Sequence, residues 1–194
     1  MNFRLPMNRL LAFCLAAATA LSTFAQTPQP PEIAARSYIL VDLNSQQVLA
    51  EREADAQVDP ASLTKLMTAY LAFAAIRDKK LGLEQTLPVS QRAWAERKGG
   101  GSLMFIDTTM TPTVGDLLKG VIVQSGNDAS VALAEGVSGS LDVFVAAMNK
   151  QAQAWGLKHT QFRNVTGLTE PGHYSSARDV ATVAAKIITE FPEF

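Results

Sequence analysis

A chain of 194 residues with 17 Lys and Arg against 18 Asp and Glu, a net charge of −1 and 47% hydrophobic residues has the balance of a globular protein. It carries no basic stripe and no Arg/Lys run, which excludes nucleic acid as the expected partner. Its single cysteine, Cys14, lies within the first 25 residues, so residues 26–194 contain no thiol for disulfides or metal thiolates.

Those first 25 residues read as an export signal. Arg4 and Arg9 precede an uncharged apolar run from Leu10 to Ala20, which leads into Thr23-Phe24-Ala25. A positive start, a short apolar stretch and small residues at the end define a secretory signal, with cleavage expected after Ala25. The apolar run is too short to span a bilayer comfortably. Phe13 stands before Cys14 where a lipoprotein signal has a small residue, which argues against lipidation. The expected organisation is a signal at 1–25, a mobile Pro/Gln-rich leader at 26–32 and one domain at 33–194. Export places the mature protein in the periplasm or cell envelope.

Ser37–Asp42 and Gln47–Glu51 are rich in β-branched and aromatic residues and flank Leu43-Asn44-Ser45-Gln46, which predicts a hairpin. A helix is expected next, with Asp59 as N-cap, Pro60 in the first turn and an end near Ile76. It is apolar nearly all round and should be the buried central helix. Ser90 caps a brief helix carrying Trp94, and Gly99–Gly101 form a loop without the strand and helix context of a phosphate site. Thr113 and Asp116 open a helix through Ile122. Gln124–Asn127 interrupts that pattern, and helix resumes from Asp128 to about Val137. Leu141–Trp155 is amphipathic and stops at Gly156. Ser176 and Asp179 cap a last helix reaching about Thr189, which explains Asp179 better as a cap than as a catalytic acid. A hairpin followed by mostly helix is an α/β chain of the α+β type, and two strands alone make a marginal sheet.

Ser62 and Lys65 carry the first candidate chemistry. Three residues apart on a helix, they share a face, so a hydroxyl nucleophile can sit beside an amine base. In the first turn the Ser62 N–H has no intrahelical acceptor and can serve as half of an oxyanion hole. Lys65 acts as a base only when neutral, which costs roughly 4–5 kcal/mol at pH 7 unless burial supplies the bias. Taken alone, the tetrapeptide Ser62-Leu63-Thr64-Lys65 fits a capped first turn with a solvated lysine better, because chance matches are common. Ser125-Gly126-Asn127 breaks a helix that could have continued; Ser125 can relay a proton and Asn127 can hold a lysine or a substrate amide. A plain helix–turn–helix corner is the alternative for these three. His159 and His173, the only histidines, lack paired spacing and fit surface or turn positions, so no metal or cofactor is expected. Met67, Met104, Met110 and Met148 read as core filling.

Together, Pro60–Thr68, Gly101–Phe105, Gln124–Ala129, Thr166–Leu168 and Tyr174–Asp179 resemble the D-alanyl-D-alanine carboxypeptidases of low molecular mass, which belong to the penicillin-recognising serine enzymes. The resemblance covers residues 33–194. It implies a penicillin-binding protein/β-lactamase-like serine transpeptidase fold and an enzyme that removes the terminal D-alanine from peptidoglycan stem peptides. Ser62 would be the acyl-ester nucleophile, Lys65 the proton acceptor, Ser125 a proton relay and Asn127 the group positioning Lys65 and substrate. β-Lactams would be covalent inhibitors. A D,D-endopeptidase of the same family, or a non-catalytic wall-binding protein, are the alternatives. The Lys-Thr-Gly motif of such enzymes is not found in these 194 residues, nor are the later sheet strands and the C-terminal region that would attach the protein to a membrane. The chain is therefore expected to be the N-terminal portion of such an enzyme, nearly inactive by itself.

Overall fold

The computed structural model describes residues 31–194; the expected export signal and the leader through residue 30 lie outside the described residues. The hairpin forms from β1 (Tyr38–Asp42) and β2 (Gln47–Arg52), antiparallel, with Tyr38 opposite Arg52 and Asp42 opposite Gln47. The Asp42 carboxylate closes the turn by accepting from the Asn44 N–H at 2.9 Å and the Ser45 hydroxyl at 2.8 Å. Among the described residues these are the two strands of the sheet. A two-stranded sheet needs support, and it comes from the last helix, α6 (Ala177–Glu190), which packs on β1. At its start, Arg178 reaches Glu51 at 2.6 Å and Asp55 at 2.8 Å, tying the helix to the end of β2.

The expected central helix is present but begins differently. Ala61–Thr64 form a 3₁₀ turn, and the α-helix proper, α1, spans Lys65–Arg77. Pro60 precedes the turn with helical dihedrals, and no side chain caps it. Asp59 is not the N-cap; its carboxylate lies 3.5 Å from the Thr169 hydroxyl. Ala61 has a left-handed φ of +46°, which sets Asp59 and Pro60 apart from a regular right-handed first turn. From there α1 runs through the core, burying Met67, Ala69, Tyr70, Ala72, Phe73 and Ala75.

Five further helices follow among the described residues, α2 (Gln91–Ala95), α3 (Val114–Ile122), α4 (Asn127–Ser138), α5 (Leu141–Ala154) and α6; α3 to α6 pack on α1, and α2 packs on α4. Hydroxyl caps define the starts: Ser90 accepts from Ala93 N–H, Thr113 from Asp116 N–H and Ser176 from Asp179 N–H. Asp179 does not itself cap. Its buried carboxylate accepts from the His159 N–H at 2.9 Å and the Thr160 hydroxyl at 2.7 Å, stapling that loop to α6. Phe144, Met148, Leu117, Leu133 and Met67 are fully buried between the helices. Met110 departs from the core reading: it is 49% exposed, because it ends the turn that Asp107 organises by accepting from Thr109.

Candidate active site

Two segments far apart in sequence meet at the N-terminal end of α1. The first is the 3₁₀ turn carrying Ser62, with Lys65 at the first position of α1. The second is the break between α3 and α4. There Ser125 has a left-handed φ of +55°, an uncommon conformation for a residue with a Cβ, which ends α3 and turns its hydroxyl back. Gly126 fits this corner because a Cβ there would lie 2.9 Å from the Met104 nitrogen. The buried Asp128 carboxylate holds the neighbouring loop in place, accepting from the Met104 N–H at 2.8 Å and the Ile106 N–H at 3.1 Å.

All four residues singled out in the sequence converge here. The Ser125 hydroxyl donates to Ser62 Oγ at 2.9 Å, and Lys65 Nζ lies 3.3 Å from the same oxygen. Lys65 Nζ also donates to Asn127 Oδ1 at 2.9 Å. The orientation of the Asn127 amide is fixed by its other end, where Nδ2 donates to the Gly100 carbonyl at 3.3 Å. Asn127 heads α4 and is buried, and its N–H donates to the Ser102 carbonyl at 2.8 Å, so the glycine loop backs it.

A third segment completes the surroundings of Lys65. Nζ donates to the Thr166 carbonyl at 2.7 Å. Residue-type reasoning could not find this acceptor, because a backbone carbonyl has no sequence signature; its only trace is the Thr166-Gly167 turn. One turn further along α1, the Thr68 hydroxyl donates to the Val165 carbonyl at 3.0 Å. His173, expected at a surface or turn position, is instead 3% exposed. Its Nδ1 accepts from the Arg163 N–H at 3.0 Å and its Nε2 pairs with the Thr64 hydroxyl at 2.8 Å. The sequence offered no signal for that pairing, since 109 positions separate the two residues.

The electrostatics suit a base. Lys65 is 5% exposed, and burial pushes its pKa down to about 8, against a smaller opposing effect of the Glu96 carboxylate. About a tenth of the amines are then neutral at pH 7. A neutral amine has two N–H donors and one lone pair. With Asn127 Oδ1 and the Thr166 carbonyl taking the two donors, the lone pair is left for the Ser62 hydroxyl proton. A cleft of about 410 Å³ opens over Ser62 and Lys65, walled by Leu63, Leu66, Ala69, Val121 and Ile122, with Ser125 at its polar edge. Among the described residues, no cluster of three His, Cys, Asp or Glu side chains is placed to hold a metal ion.

The arrangement has counterparts in known proteins. A family model described as D-alanyl-D-alanine carboxypeptidase matches residues 24–194. The D-alanyl-D-alanine carboxypeptidase DacA of Haemophilus influenzae is 42% identical over 186 residues, covering 92% of this chain and 47% of the relative. DacC of Escherichia coli is 44% identical over 171 residues, covering 87% of this chain and 43% of the relative. Among solved structures, penicillin binding protein 5 from Haemophilus influenzae superimposes with a TM-score of 0.83 at 44% identity, covering 86% of this chain and 48% of that one. The chain thus spans about half the length of the curated relatives it matches.

Proposed function

Because the chain belongs to the D-alanyl-D-alanine carboxypeptidase family, we propose that it acts as a serine-type carboxypeptidase that removes the terminal D-alanine from peptidoglycan stem pentapeptides. The observation that carries this reading is the pairing of Ser62 Oγ with a Lys65 amine whose two other partners are uncharged acceptors.

In this reading, Ser62 Oγ attacks the carbonyl of the penultimate D-alanine while its proton passes to the neutral Lys65 Nζ. The Ser62 N–H, in the first turn below α1, donates to the oxyanion that develops. The proton then leaves Lys65 for the amine of the departing D-alanine. Ser125, already hydrogen-bonded to Ser62 Oγ, relays it. Water next attacks the acyl-Ser62 ester with Lys65 again as base, releasing the shortened peptide and restoring the hydroxyl. Asn127 keeps the amine oriented through both halves and offers its amide to the substrate backbone. A β-lactam would enter the same first half and leave Ser62 acylated. Residues 1–25 act as the export signal, 26–32 as a leader and 33–194 as catalytic-domain sequence. The site of action is the periplasmic, outer face of the inner membrane, where stem peptides are exposed.

The test uses the full-length gene product. A fluorescent penicillin should add covalently to the tryptic peptide ending at Lys65, Ser62→Ala should abolish the label, and a pentapeptide should release free D-alanine. Faster cleavage of a cross-linked dimer than of the pentapeptide would replace this reading with an endopeptidase. Absence of both label and product would replace it with a non-catalytic wall-binding protein.

A further inference from the structure

Three hydroxyl and amine groups on successive turns of the nucleophile segment all grip one loop. Thr64 pairs with His173, Lys65 donates to the Thr166 carbonyl and Thr68 donates to the Val165 carbonyl. The loop between Arg163 and His173 therefore lies along the start of α1 and covers Lys65. Lys65 and Thr68 hold its first half, whereas its far half is held by the buried His173 ring and by the exposed Thr169 hydroxyl, 3.5 Å from the Asp59 carboxylate. Within the loop, Asn164 Oδ1 gathers the Thr166 and Gly167 N–H groups at 3.2 and 2.8 Å, so the Thr166 carbonyl moves with its neighbours as a unit. The loop also touches the Ser62 turn directly: a Cβ on Gly167 would lie 1.8 Å from the Ala61 carbonyl oxygen.

The partners of His173 set its protonation. Nδ1 accepts from the Arg163 N–H, so it carries no proton, and Nε2 must be the N–H that donates to Thr64 Oγ1. Only this neutral tautomer makes both bonds. One ring thus joins the first residue of the loop to the turn that carries the nucleophile.

We propose that His173 is a positioning residue: acting through Thr64, it clamps the Arg163–His173 loop onto the nucleophile turn and so holds the Thr166 carbonyl, and the dry cover it belongs to, over Lys65. The proposal rests on reading Lys65 as the base. Its consequence is electrostatic. Burial is the main cause of the lowered Lys65 pKa, and Val165 and Thr166 are themselves 2% and 5% exposed. Loosening the clamp admits water to Nζ and restores its ordinary preference for the charged form. The other charges at the two groups remain in place. Glu96 acts on Lys65, Glu170 and Asp59 act on His173, and the Arg163 guanidinium lies against Gly172.

The experiment titrates Lys65 directly, through the ¹³C shift of its ε-carbon in the full-length gene product with labelled lysine. It compares the wild type with Thr64→Val, Thr64→Ser and His173→Phe. Thr64→Val keeps the shape and removes the acceptor, and should raise the Lys65 midpoint by about one unit or more, which is tenfold less neutral amine at neutral pH. His173→Phe should do the same. Thr64→Ser, which keeps the hydroxyl, should stay at the wild-type midpoint. The rate of Ser62 acylation by penicillin should fall about tenfold at neutral pH in Thr64→Val and His173→Phe and recover as pH rises. Midpoints unchanged in Thr64→Val, with only melting temperature lowered, would overturn the proposal by making the clamp merely structural. If His173→Phe does not fold, the Thr64→Val and Thr64→Ser pair decides alone. The lysine titration needs no turnover, so a lack of acylation would count against the carboxypeptidase reading while the titration still judges the clamp.

Discussion

Lys65 Nζ donates to the Thr166 carbonyl at 2.7 Å across 101 residues of sequence. A carboxylate there would stabilise the ammonium, whereas a carbonyl and the Asn127 amide orient the amine without adding negative charge. Burial then dominates, and the amine becomes available near neutral pH.

Acylation should track that amine. With a Lys65 pKa near 8, the rate of Ser62 labelling by a fluorescent penicillin should climb about tenfold per pH unit below 8 and level off above it. Stability has a related dependence. The folded pKa lies below the unfolded value, so the unfolded chain binds more protons between about 8 and 10.5, and stability should increase with pH across that window. Acylation kinetics and urea midpoints over this range check the two signs.

Asn127→Asp tests the choice of an uncharged acceptor. The new carboxylate would face Lys65 Nζ at one end and the Gly100 carbonyl at the other. It should raise the Lys65 pKa and lower acylation at neutral pH by at least about tenfold. Asn127→Ala should also slow acylation, but without the alkaline shift. Comparing the two pH profiles separates lost positioning from added charge.

Gly167→Ala should be among the most damaging single-methyl additions. Gly167 has a φ of +87°, and the new Cβ would fall 1.8 Å from the Ala61 carbonyl oxygen. Left-handed strain and the forced movement of backbone together should cost about 2–4 kcal/mol. Denaturant midpoints would show the loss, and Ser62 labelling should drop with it because Ala61 adjoins Ser62.

Phe144→Ala probes the core away from the chemistry. The ring is fully buried, and its removal should destabilise the fold by about 3–5 kcal/mol. At a temperature where the variant remains folded, the pH midpoint of acylation should match the wild type.

Much of this architecture is legible in the chain itself. The hydroxyl caps at Ser90, Thr113 and Ser176 are local chemistry, so the helix starts they mark fall where expected. The hairpin and the helix break at Ser125 are likewise written in turn residues and periodicity. The start of α1 is not legible, because Asp59-Pro60 is a standard opening signal and nothing local reveals that Ala61 takes a left-handed φ. The Ala61 carbonyl there packs closely on Gly167, more than a hundred residues further along the chain. Asp179 and Met110 depart from local expectation for a similar reason: one carboxylate finds a better use in the loop at His159, and one apolar side chain sits on a polar turn.

By itself, the sequence determined which groups could do chemistry, namely a hydroxyl and an amine one turn apart and a second Ser-Gly-Asn corner that local geometry exposes. Tertiary structure alone decided what surrounds the amine. The Thr166 carbonyl and the His173 ring come from segments about a hundred residues from Lys65, and the buried Asn127 amide from 62 residues away. Backbone acceptors and desolvation have no residue-type signature, and they emerge only when those segments pack together.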